Sequence, residues 1–204
     1  MPGDSTEFLA DTLSEVGADS THTQRFLSEV EEQRVRMAAD ARRAMELIDA
    51  EEPLGADLRA AGSRALWRLD LREGPYPEAL PILITHLERG GYPDLTTNRI
   101  GRALGVRAAV VYWDRLKAIW LNPRNPAEEE AAALALSGCA GAAQLEDLID
   151  FVNMSERGSS RIYFLRPMRR IGRKRVQDLL EQLGTDPVLG SEATRILKGR
   201  SPND

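Results

Sequence analysis

Four stretches of the chain carry the same spacing of apolar positions. They are residues 77–87, 110–120, 142–152 and 174–183, and four apolar columns run through them. The first column is Leu80, Trp113, Leu145 and Val176, and the second is Leu83, Leu116, Leu148 and Leu179. The third is Ile84, Lys117, Ile149 and Leu180, with one polar break, and the fourth is Leu87, Trp120, Val152 and Leu183. Inside each stretch the columns fall at i, i+3, i+4 and i+7, one face of an α-helix. Equivalent residues are 31 to 33 positions apart, and a helix recurring at such a period predicts a stacked α-solenoid.

Between these helices the spacing predicts a leading helix for each repeat. The four leading helices are expected over 57–71, 95–104, 127–137 and 160–171, with a closing half-repeat over 188–198. Gly90-Gly91 and Gly105 read as helix stops. Asn125-Pro126-Ala127-Glu128 reads as a start: Asn125 as cap, Pro126 in the first helical position and Glu128 completing a capping box. Pro167 inside the fourth leading helix predicts a kink. The one β-like run, Arg161–Leu165, falls inside that helix, and the period outweighs local propensity. Pro53-Leu54-Gly55 reads as a chain break before the first repeat. Upstream, a short helix around Phe8–Val16 and a long one from His22 to Ala50 have a narrow apolar stripe. Residues 1–56 are therefore expected to form an N-terminal helical cap on the solenoid of residues 57–204, the two packed as one domain.

Paired helices of this period resemble the short bacterial HEAT-like repeats of the PBS-lyase type. The residues carrying the likeness are Arg64-Ala65-Leu66, Arg102-Ala103-Leu104-Gly105 and Arg170-Ile171-Gly172, each followed by a Leu-rich helix. The third repeat departs, with Ala135-Leu136-Ser137-Gly138. The resemblance implies an all-α, right-handed solenoid of about four helix pairs. It also implies a non-catalytic scaffold or adaptor, because most such proteins are binding platforms. A minority are enzymes, including HEAT-like DNA glycosylases that use concave-face aromatics and an aspartate; Tyr112-Trp113-Asp114-Arg115 is similar to that pattern.

Composition narrows the chemistry. With two histidines and one cysteine, a histidine metal site, a Ser–His pair or a disulfide framework is poorly supplied. No metal, cofactor or catalytic residue is expected. His86, beside a core column, reads as structural, and Cys139 as a small buried thiol. Trp113 and Trp120 sit on core columns and read as packing residues. No apolar run approaches the length of a membrane span and no secretory signal is read at the start, so a cytoplasmic protein without membrane contact is expected.

Charge brings in the remaining candidate. The net charge of −5 is uneven. Residues 1–56 hold 13 acidic and 5 basic side chains, and residues 157–200 hold 11 basic and 4 acidic. Arg157, Arg161, Arg166, Arg169, Arg170, Arg173, Lys174 and Arg175 form one run, with Tyr163 and Phe164 between them. At helical spacing Arg166, Arg169, Arg170 and Arg173 share a face. The candidate binding set is these four with Arg175, Tyr163 and Arg115. The first expectation is a protein partner with an acidic surface, and nucleic acid ranks second. Self-association of an acidic end with a basic end is a third reading. The plain alternative is a solvated face paired with Glu146 and Asp150.

Overall fold

The computed structural model describes residues 52–72 and 75–199, all within the unit Asp49–Asp204. The expected helices around Phe8–Val16 and His22–Ala50, and their capping role, lie outside the described residues.

All the regular secondary structure among the described residues is helical, with no strand among them. The α-helices are α1 (Leu54–Ala60), α2 (Leu66–Asp70), α3 (Leu80–Arg89), α4 (Asp94–Leu104), α5 (Trp113–Leu121), α6 (Pro126–Cys139), α7 (Leu145–Asn153), α8 (Ile162–Gly172), α9 (Gln177–Leu183) and α10 (Gly190–Lys198). Arg161–Leu165 is helical, as the period required: Arg161 ends a 3-10 turn over Ser155–Arg161, and the rest opens α8.

Several expected elements differ. The first leading helix is two short helices, because Gly62 takes a positive φ and Ser63–Ala65 run without helical structure. Leu54, read as part of a break, is fully buried and opens α1, whereas Ala61 and Ala65 are exposed. The second, third and fourth column helices each begin with a 3-10 stretch, Arg107–Tyr112, Ala142–Gln144 and Arg173–Val176, and become α-helical only afterwards.

Asn125 caps α6 by accepting from the Glu128 backbone N–H at 2.9 Å. The capping box does not close. The Glu128 carboxylate accepts instead from the backbone N–H of Arg124 at 3.0 Å and from its side chain. Pro167 sits within one uninterrupted helix assignment and is itself buried.

The columns face the core. Leu83, Leu116 and Leu148 are fully buried, as are Leu87, Trp120 and Val152 to within 2 %. Leu179 is half-buried, and the fully buried place in α9 belongs to its neighbour Leu180. The polar break has its own partner: Lys117 donates to Asp147 at 2.5 Å and lies over the Phe151 ring. Trp120, Phe151 and Phe164 join α5, α7 and α8 with ring centroids 4.6 to 5.0 Å apart. Such ring clusters add to the area that they bury.

The packing order is regular. α2 contacts α4, α4 contacts α6, α6 contacts α8 and α8 contacts α10. Each column helix packs most closely on the leading helix that follows it: α3 on α4, α5 on α6, α7 on α8 and α9 on α10. The expected pairs had joined each column helix to the leading helix before it. At the α4–α6 contact the backbones almost touch. A Cβ on Gly101 would fall 2.4 Å from the Ala131 carbonyl oxygen, and one on Gly138 would fall 2.3 Å from that of Gly105. Gly105, read as a helix stop, is here also a point of close approach.

Candidate functional site

A helix leaves its last carbonyls without intrahelical partners, and its C-terminal end carries partial negative charge. Arginines supply the missing donors at four helix ends. Arg124 donates to the carbonyls of Leu87 and Arg89 at the end of α3. Arg157 donates to Leu121 at the end of α5, with its guanidinium over the Trp120 ring. Arg161 donates to Val152 at the end of α7. Arg107 and Arg170 both donate to Ala140 at the end of α6.

This sorts the basic run. Arg161 is 2 % exposed and pairs with Asp186 through both terminal nitrogens, at 3.1 and 3.3 Å. The Leu189 backbone N–H holds the Asp186 carboxyl below the usual carboxylate range; burial opposes this, while the Val188 N–H and Arg161 add to it. Arg157 and Arg161 are therefore structural.

The later arginines lie elsewhere. Arg169, Arg170, Arg173, Lys174 and Arg175 line a depression of about 770 Å³, closed by Gly172, Ile196 and Gly199. Arg166 and Arg195 border an adjoining hollow that shares Arg169, Arg170 and Ile196. So the structure gathers Arg169, Arg170, Arg173 and Arg175 at one depression with Arg166 beside it; helical spacing on α8 accounts for Arg166, Arg169 and Arg170, whereas Arg173 lies just past the end of α8, and α10 adds residues the sequence did not assign to the site. None of the described side chains lining the main depression is acidic. Arg175 pairs with Glu146 across an exposed gap, and Arg166 pairs with Glu192 at 3.1 Å. Asp150, the other acid proposed as a partner, is exposed and makes no such pair. Arg169, Arg173 and Lys174 have no ion-pair partner among the described residues. Arg173 has φ +48°, a region that side-chain-bearing residues rarely occupy.

Two members of the predicted set leave it. Tyr163 donates its hydroxyl to Glu130 at 2.5 Å; burial first, then that carboxylate, push its pKa up to about 12. It lines a different hollow, with Glu129, Glu130 and Ser160. Arg115 is held by both oxygens of Glu88 at 2.6 and 2.7 Å, far enough along the chain order that it lines neither arginine hollow.

The glycosylase-like pattern is also dispersed. Trp113 is 6 % exposed and donates to Asp147 at 2.6 Å, so its face is not offered for stacking, and Asp114 does not line the arginine depression. His86 is buried between the Asp57 carboxylate, 2.8 Å from Nε2, and the Tyr92 hydroxyl, 2.5 Å from Nδ1. A carboxylate only accepts, so Nε2 carries a proton. Burial raises the Cys139 thiol to about 12, which keeps it protonated and unreactive. Among the described residues no group of three His, Cys, Asp or Glu side chains is placed to hold a metal, and no helix is long and apolar enough to cross a membrane.

No protein-family model matches the chain, and no curated protein and no solved structure matches it.

Proposed function

We propose that residues 57–198 form a HEAT-like stack of helix pairs and that the chain is a non-catalytic scaffold or adaptor that docks an acidic protein surface. The packing order from α2 through α4, α6 and α8 to α10 supports the stack, since in such repeats each unit contacts only its neighbours. The inert thiol of Cys139 is compatible with a cytoplasmic setting.

One observation carries the docking reading. Other arginines of the same run are engaged by helix ends and by acids of neighbouring elements, but Arg169, Arg173 and Lys174 are gathered on one surface without acids among the described residues to neutralise them. Gathering like charges raises the folded state's energy by mutual repulsion, and an acidic partner relieves it. The binding set is thus Arg166, Arg169, Arg170, Arg173 and Arg175, with Lys174 added.

The test is the double variant Arg169→Glu with Arg173→Glu, assayed with the protein that co-purifies from the source cell and with duplex DNA. Loss of the protein partner, with a shallow salt dependence for the native chain, is the expected result. Loss of DNA binding alone, with a log–log salt slope near −0.9 per phosphate contacted, would hand the surface to nucleic acid.

A further inference from the structure

The arginine depression is concave as well as charged, and its dimensions suggest a small ligand. Small-molecule sites run from about 300 to 1,000 Å³, and this one, at about 770 Å³, lies within that range. A protein surface docking by charge alone has no need of such a hollow. Five cations line it, and the exposed Glu146 offsets one of them, Arg175, which leaves a charge of about four (five less one) without a counter-charge among the described residues. Four of the five are arginines, whose planar forks match phosphate oxygens two at a time. Among the described residues the lining holds no aromatic ring for a base to stack on, and Ile196 is the one large apolar side chain.

The backbone adds a second observation. Arg173 ends α8 with φ +48°, and a glycine would take this conformation more easily. Strain of this kind persists where the surroundings impose it, and it clusters at ligand clamps. Here it sets a guanidinium into the depression.

We infer that this depression is a binding site for a small, phosphate-dense anion, a molecule carrying a di- or triphosphate group, recognised by Arg169, Arg170, Arg173 and Lys174. The phosphates rather than the organic part define the ligand class. The site goes beyond the docking reading, and its test uses the protein alone, so either can fail without the other.

Titration calorimetry of the full chain with inorganic tripolyphosphate at about 0.15 M salt tests it, with citrate as a polyanion lacking phosphorus. One saturable site is expected for tripolyphosphate, and citrate should bind at least about tenfold more weakly. Arg169→Ala and Arg173→Gly should each weaken tripolyphosphate about tenfold or more, the scale of a charge-assisted hydrogen bond. Arg115→Ala, in an arginine held by Glu88 away from the depression, should leave it within twofold. Arg173→Gly should also melt no lower than the native chain, because glycine relaxes the positive φ; a loss of affinity in a variant that folds as well as the native chain separates binding from folding. The inference is overturned by the absence of saturable heat, by citrate binding as tightly, or by equal losses in Arg115→Ala. It is also overturned if a duplex oligonucleotide binds tightly and tripolyphosphate does not.

Discussion

Arg161 and Arg169 lie two helical turns apart in one basic run, and their fates are opposite. Arg161 is 2 % exposed, closes the end of α7 and holds Asp186. Arg169 lines an open depression and has no acid partner among the described residues. The difference comes from what the fold places nearby. A buried guanidinium persists only if a carbonyl end and a carboxylate satisfy it, and Val152 and Asp186 do so. Near Arg169 the neighbouring elements contribute further cations and Ile196. Charge in a sequence thus becomes structure or surface according to whether an acceptor is within reach.

The sharpest way to break this contrast is Arg161→Ala. It leaves the half-buried Asp186 without its cation and the Val152 carbonyl without its donor, and it should destabilise the fold by about 2–3 kcal/mol. Chemical denaturation measures it, and a loss below about 1 kcal/mol would show that Arg161 is not structural. Arg157→Ala should come next, at about 1–2 kcal/mol, from one lost bond to Leu121 and the lost contact over Trp120.

Acid should reproduce part of the Arg161 effect. The Asp186 carboxyl is depressed in the folded state, so its contribution is complete above the ordinary carboxylate value of about 3.9 and is lost as pH falls through the lower folded value. In Arg161→Ala that loss should begin at the same pH but be smaller and complete at a higher pH, because one of the depressing groups is gone from the folded state only. Melting temperature against pH for the two proteins, compared below about pH 4, measures the shift. Superimposable acid limbs would mean that the pair is not coupled.

The columns were legible because burial at i, i+3, i+4 and i+7 repeats: Leu83, Leu116 and Leu148 are buried as their spacing required. The candidate surface was legible in part, since helical spacing groups Arg166, Arg169 and Arg170 whatever surrounds them, while Arg173 joins them only through the turn that ends α8. Three things were hidden. Nothing in the spacing reveals that Arg157 and Arg161 reach back to carbonyls of α5 and α7, because backbone acceptors leave no mark in a sequence. Tyr163 sits among arginines in the chain, yet its hydroxyl faces Glu130, 33 positions away. The close approach of Gly101 to Ala131 was hidden because a glycine inside a helix pattern does not say which neighbour comes near it.

On the surface side of the contrast, effects should be small. Arg115→Ala removes a two-pronged but exposed pair with Glu88 and should change stability by no more than about 1 kcal/mol. A larger loss would place Arg115 with Arg161 rather than with the solvent-facing cations.

The smallest effect is expected for Arg169→Ala, and its sign carries the argument. Arg169 removes no described ion pair when truncated, so ordinary bookkeeping gives a change within about 0.5 kcal/mol. Its charge, however, faces Arg170, Arg173, Lys174 and Arg175 across the depression. Removing one member of a cluster of like charges relieves repulsion, and at low ionic strength the variant should melt slightly higher than the native chain. Raising salt from about 0.01 M to 1 M shortens the screening length from about 30 to 3 Å, so the two melting curves should converge. Arg161→Ala should show no such convergence, because its loss is of buried bonds that salt does not reach. A variant at Arg169 that melts lower than the native chain at every salt concentration would mean that the side chain holds the fold together, and the contrast between the two arginines would be lost.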